Sequence, residues 1–195
     1  MRNLRGDTTG DNWAIKREIQ AKYNMLSRSY NKVYGDEQRQ KYQEVFSNLR
    51  KRPRLVCVDI GCGTGIGIEG DYRIFRDTWV GIDLSRGMLE KARRRIHSEE
   101  RRHLVLADSD FSPLRSKCAD LAVCVTLVSG IPDPRRTLRE LGRVVVPGGE
   151  IAVTILKREI TRDEVDELMQ ETGLRIERVP EDNHTKDHVF LCSPE

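Results

Sequence analysis

The chain has 195 residues, enough for one domain with a sizeable core. Its 34 lysines and arginines stand against 31 acids, a formal net charge of +3, so total charge does not point to a nucleic-acid binder. Nowhere do about 18 apolar residues run together, and Met1 to Gln20 lacks the apolar centre of a secretory signal, so the expectation is a cytoplasmic protein without membrane insertion.

A polar opening, 1–12, leads into a stretch from Trp13 to Leu49 whose apolar residues recur at helical spacing: Ile15, Ile19, Tyr23, Leu26, Tyr30, then Tyr42, Val45, Phe46 and Leu49. Two helices are predicted, with the break at Tyr34-Gly35-Asp36-Glu37, where Gly ends one and Asp caps the next. From Arg54 onward short apolar runs alternate with amphipathic stretches, the pattern of a parallel sheet covered on both faces. Strands are predicted at 55–60, 78–83, 103–107, 121–126, 150–156, 174–179 and 188–192, and helices at 87–95, 134–144 and 161–172, with a Pro147-Gly148-Gly149 turn after the second.

The densest signal is Val56-Cys57-Val58-Asp59-Ile60-Gly61-Cys62-Gly63-Thr64-Gly65-Ile66-Gly67, a buried-strand pattern running into a glycine-rich turn. Such a turn lets a nucleotide-like ligand lie against main-chain amides at the carboxyl end of the first strand. The nicotinamide pattern G-x-G-x-x-G fails, because the third glycine would fall at Ile66 or Ile68. At the next strand end, in Gly81-Ile82-Asp83-Leu84-Ser85, Asp83 is placed to accept both hydroxyls of a ribose.

Asp59-x-Gly61-x-Gly63-x-Gly65 resembles the first motif of class I S-adenosylmethionine-dependent methyltransferases, and the likeness continues at the expected intervals. Leu106-Ala107-Asp108-Ser109-Asp110 is similar to the segment whose acid meets the adenine amine. Ala119 to Thr126 resembles the fourth motif, and Leu138 to Glu150 the helix and turn before strand five. Tyr23-Asn24-Met25-Leu26-Ser27-Arg28-Ser29-Tyr30-Asn31 looks like the opening of the ubiquinone and menaquinone biosynthesis type, with Asn where Asp is usual.

The resemblance implies a Rossmann-like, doubly wound α/β fold with seven strands, the last antiparallel, and S-adenosyl-L-methionine as cofactor. It implies a helical lid over 1–52 and a cofactor-binding domain over 53–195. The implied cofactor residues are Asp59, Gly61, Cys62, Gly63, Gly65, Asp83, Leu84, Met88, Asp108, Ser109 and Thr126, with Tyr30 and Tyr34 as candidates for the acceptor pocket.

The acceptor is open, with a small metabolite favoured. The alternatives are an RNA or translation-factor methyltransferase, or a non-catalytic module that binds cofactor or RNA. Trp79 to Leu89 also looks like ribosomal-RNA guanine methyltransferases, some of which need a small zinc-ribbon activator protein. A general base is not identified, since Ser129-Gly130 stands where a His pair is usual, and no Asn/Asp-Pro-Pro-aromatic element follows strand four. The five cysteines, Cys57, Cys62, Cys118, Cys124 and Cys192, include no C-x-x-C pair and read as reduced packing residues. His97, His103, His184 and His188 lack metal-ligand spacing, so no metal is expected. The basic run from Lys91 to Arg95, with Arg101, Arg102, Arg135, Arg136, Arg139 and Arg143, reads as a solvated face rather than a phosphate surface.

Overall fold

A computed structural model describes residues 12–69, 78–96, 101–158, 160–181 and 185–195; His97 and His184 lie outside these. Seven strands form one sheet: β1 (Val56–Ile60), β2 (Thr78–Asp83), β3 (Arg102–Leu106), β4 (Ala119–Cys124), β5 (Val145–Leu156), β6 (Leu174–Arg178) and β7 (Asp187–Pro194). Their order is β3-β2-β1-β4-β5-β7-β6. β1 to β5 pair in parallel, while β7 runs antiparallel to both β5 and β6. The fold is the Rossmann-like seven-strand sheet expected from the sequence.

Alternation along β1 divides the core. Val58 and Ile60 face α4 (Pro134–Val144) and α5 (Arg162–Glu171), where Leu138, Leu141, Val165 and Leu168 close one apolar layer. Cys57 points the other way, into a layer with Trp79, Leu121 and Val123 that α2 (Tyr30–Asn48) covers with Tyr42, Val45 and Phe46. Asp59 shares that second face, and its carboxylate accepts from the Tyr42 hydroxyl at 3.1 and 3.0 Å. Local signals fix the helix starts. Asp133 accepts from Arg135 N before Pro134, Thr161 and Glu164 form a capping box, and Ser85 caps α3 (Arg86–Arg93).

Two expectations are corrected. The break between the first helices falls after α1 (Asn12–Leu26), at Ser27 to Ser29, and α2 runs straight through Gly35. Gly35 is buried inside α2, so tertiary packing outweighs the roughly 1 kcal/mol that glycine costs a helix interior. Pro147-Gly148-Gly149 is likewise no turn between elements. β5 pairs first as Val145 with Ala119, shifts register, and resumes as Glu150 with Leu121, the irregularity absorbing Gly148 at φ 76°.

The segment expected as a lid behaves in two ways. Among α1 residues only Lys16 is buried, whereas α2 sends Tyr42, Val45 and Phe46 into the sheet core. No helix among the described residues is long and apolar enough to cross a membrane.

Candidate functional site

In the strand order the sheet reverses direction of growth between β1 and β4, and open α/β sheets bind ligands outside the carboxyl ends of strands at such a point. The chain leaves β1 there through Gly61 at φ 79°, where a Cβ would come within 2.9 Å of Leu127 Cδ2. At Gly63, φ 54°, a Cβ would meet nothing nearer than the Gly61 carbonyl at 4.0 Å. Gly61 is thus required by packing, while Gly63 presents bare backbone to open space.

The adjacent cleft holds about 110 Å³, lined by Gly61, Gly63, Asp83, Leu84, Met88, Asp108, Ser109 and Thr126 of the expected set, and by Tyr30. Asp59, Cys62 and Gly65 stand behind this wall, since they are not among its lining residues. Tyr34 is also absent from it and lines a neighbouring cavity. Cys62 is buried and its thiol is pushed well up by that burial, so it packs rather than reacts.

Asp83 ends β2 with each oxygen already fixed, Oδ2 accepting from Gly63 N at 2.9 Å and Oδ1 from Ser85 N at 2.7 Å. A carboxylate oxygen takes two hydrogen bonds, so among the described residues one lone pair on each remains for a vicinal diol. Burial raises the Asp83 carboxyl against the pull of these two amides. Burial likewise lifts Asp59 to about 7, against the lowering hydrogen bond from Tyr42.

The ceiling of the cleft is α1, an arrangement the sequence reading missed in its detail. Lys16 Nζ donates to Asp108 Oδ1 and Oδ2 at 2.6 and 2.7 Å and to Asp110 Oδ2 at 2.5 Å. Gln20 donates to the Leu84 carbonyl at 2.8 Å. Asn24 Oδ1 accepts from Ser85 Oγ and Gly87 N at 2.8 and 2.9 Å, and Asn31 Oδ1 accepts from Thr64 Oγ1 at 2.6 Å. The two asparagines of the Tyr-Asn pair therefore fasten the amino-terminal helices to the glycine turn and to the start of α3.

Thr126 follows β4 at φ 63°, a left-handed conformation that a β-branched residue adopts only when its surroundings impose it. Here they do. Its N–H donates to Thr154 Oγ1 at 2.8 Å, its hydroxyl donates to Asp187 at 2.9 Å, and that oxygen accepts from Lys41 at 3.1 Å. Lys41, only 1% exposed, also lies 2.9 Å from both Glu37 and Asp187. Among the described residues no group of three His, Cys, Asp or Glu side chains has the geometry to hold a metal ion.

A family model for a methyltransferase domain matches residues 58–153. A malonyl-[acyl-carrier protein] O-methyltransferase of Marinomonas is 30% identical over 147 residues, 74% of this chain and 54% of that protein, so the chain spans about half the length of that relative. Magnesium protoporphyrin IX methyltransferase of Synechocystis, solved with bound S-adenosylmethionine, superposes with a TM-score of 0.74 at 14% identity, covering 97% of this chain and 100% of that one. A chain from a complex of the Haloferax volcanii Trm112 methyltransferase activator with a methyltransferase gives 0.75 at 15% identity, covering 88% and 97%. At such identities the structural likeness is one of fold, and the family match carries the chemistry.

The cleft fits the cofactor of that family: bare backbone at Gly63, two open lone pairs on Asp83, an acid at the end of β3, and apolar walls from Leu84 and Met88. The chain belongs to the class I S-adenosylmethionine-dependent methyltransferases.

Proposed function

We propose that the chain transfers a methyl group from S-adenosylmethionine to a small-molecule acceptor. Bound at the cleft, the cofactor supplies a sulfonium methyl that is already electrophilic. The protein's work is then alignment and exclusion of water. Asp83 holds the ribose, Asp108 the adenine amine, and the Gly61 to Gly65 turn gives the backbone approach, with Asp59 supporting the turn from behind. The observation that carries this reading is the doubly braced Asp83 beside bare backbone at Gly63.

Tyr23 and Tyr30 border the acceptor side, and burial pushes both phenols up, so at neutral pH they donate hydrogen bonds and do not act as bases. A base is needed only for an acceptor with a firmly held proton. Cys57, Cys62, Cys118, Cys124 and Cys192 are all free thiols, which supports a reducing cytoplasm as the setting.

Asp83→Ala tests the cofactor assignment. Loss of two charged hydrogen bonds is expected to weaken S-adenosylhomocysteine by about ten- to a hundredfold, roughly 1.5 to 3 kcal/mol, with the fold intact by circular dichroism. Unchanged affinity by calorimetry would remove Asp83 from the ribose site. Binding without methyl transfer to any acceptor would favour a non-catalytic module.

A second reading rests on β3, an edge strand whose end exposes Leu106 and, just beyond it, Phe111 at 61%. Such an edge suits a small activator protein in an RNA or translation-factor methyltransferase. Co-purification with mass spectrometry decides it, by recovering a zinc-ribbon partner and bound RNA or neither.

A further inference from the structure

Apolar residues scattered singly over a surface are ordinary, whereas several gathered among cations at one place mark an interaction site. The corner where α1 gives way to α2, through Ser27 to Ser29, is such a place. Met25 is 74% exposed there and Val33 60%, each within one helical turn of the corner, with Tyr34 next at 40%. From Ala21 to Gly35 the chain carries three cations, Lys22, Arg28 and Lys32, and no acid. All three are exposed.

Little offsets this charge. Among the described residues Lys22, Arg28 and Lys32 enter no ion pair, not even Lys22 with Glu18 one turn before it; Lys22 lies 5.9 Å from the Tyr23 ring centre instead. The acids that follow on α2 are turned to other cations, Asp36 to Arg39 at 3.0 Å and Glu37 to Lys41 and Lys186 at 2.9 and 2.6 Å. Exposures as high as those of Met25 and Val33 belong to side chains that stand out from a corner, which offers no groove to a peptide or a helix. A nucleic-acid backbone would reward the cations but leave Met25 and Val33 in water. A lipid leaflet rewards both, since its anionic headgroups meet the cations while the apolar side chains sink to the boundary of the acyl chains.

We propose that this corner docks the protein reversibly on an anionic membrane surface, with Met25 and Val33 inserted at headgroup depth and Lys22, Arg28 and Lys32 on the lipid phosphates. Lys22, Leu26 and Tyr34 also line the cavity beside the cofactor cleft, so docking brings the rim of that cavity to the lipid. Three cations and two modest apolar side chains give an attachment that salt releases, without any segment crossing the bilayer.

The test uses the full chain and vesicles of phosphatidylcholine, alone or with about one quarter phosphatidylglycerol. In sedimentation the protein is expected to bind the mixed vesicles at least about tenfold more tightly than the neutral ones, and added salt is expected to release it. Lys22→Gln, Arg28→Gln and Lys32→Gln combined should weaken binding about a hundredfold, at roughly fivefold per cation. Met25→Ser with Val33→Ser should weaken it about tenfold, with S-adenosylhomocysteine affinity and circular dichroism unchanged. Arg93→Gln with Arg94→Gln removes two exposed cations from the far end of α3 and should change binding less than about threefold. The proposal is overturned if the wild type stays in solution with the mixed vesicles, or if the Met25 and Val33 variant binds as tightly as wild type. It is equally overturned if the α3 variant loses as much as the corner variants, or if a short RNA oligonucleotide binds the corner cations while vesicles do not.

Discussion

α1 and the second half of α2 are neighbouring pieces of one amino-terminal segment, held by opposite means. α1 buries a single side chain, Lys16, and is fastened by polar bonds to Asp108, Asp110, Leu84 and Ser85. α2 beyond Gln38 is fastened by Tyr42, Val45 and Phe46 under the sheet. Water replaces polar partners at small net cost, whereas buried apolar area has no substitute in solvent. We propose that α1 is the piece that lifts from the cleft, whose volume of about 110 Å³ is less than the roughly 300 Å³ or more of typical ligand sites, while α2 holds to the sheet.

The sharpest way to break this contrast is Phe46→Ala, expected to cost the whole domain about 3 to 5 kcal/mol by cavity formation. Denaturant unfolding measures it, and a loss below about 1 kcal/mol would place α2 with α1 as a detachable cover. Next in size, Lys16→Met removes charged hydrogen bonds worth about 1.5 to 3 kcal/mol. It should speed amide exchange throughout α1 by about ten- to a hundredfold, yet leave exchange in α2 beyond Gln38 unaltered. Equal acceleration in both helices would mean that they move as one body.

The smallest effect concerns the polar tie that α2 does possess, Tyr42 to Asp59. The Asp59 carboxyl is raised from 3.8 to about 7, so between pH 4 and 7 the folded chain keeps a proton that the unfolded chain has lost. The stability contributed by that proton fades as pH rises through 7. Wild type should therefore lose about 1.4 kcal/mol more than Asp59→Asn between pH 6 and pH 8, one pK unit's worth. Parallel stability curves for the two proteins would show that Asp59 is ionised throughout.

The part of this architecture that sequence reveals is the part written locally. A buried strand followed by glycines, acids two strands in succession at strand ends, and caps such as Thr161 with Glu164 all lie within a few residues of what they organise. Gly35 misled because its chemistry matches a helix stop, and only the packing of α2 shows that no stop occurs. Within the glycine turn, spacing alone does not tell which residues face the ligand, so Asp59, Cys62 and Gly65 read the same as Gly61 and Gly63. Lys16 and Lys41 were illegible for a different reason. A lysine on an amphipathic helix reads as solvated, and the carboxylates that bury these two, Asp108 and Asp187, stand far along the chain.

The Lys16 latch has a consequence for time rather than for affinity. On the proposed assignment an adenine amine would approach an Asp108 carboxylate that the Lys16 ammonium already holds, so admitting a cofactor and shifting α1 are coupled. The same helix must lift again before the spent cofactor departs. Turnover then includes two passages of α1 through its open position, and once methyl transfer is fast those passages set the pace. A variant that loosens α1 would shorten the residence of product and raise the steady-state rate while leaving the single-turnover rate of methyl transfer where it was.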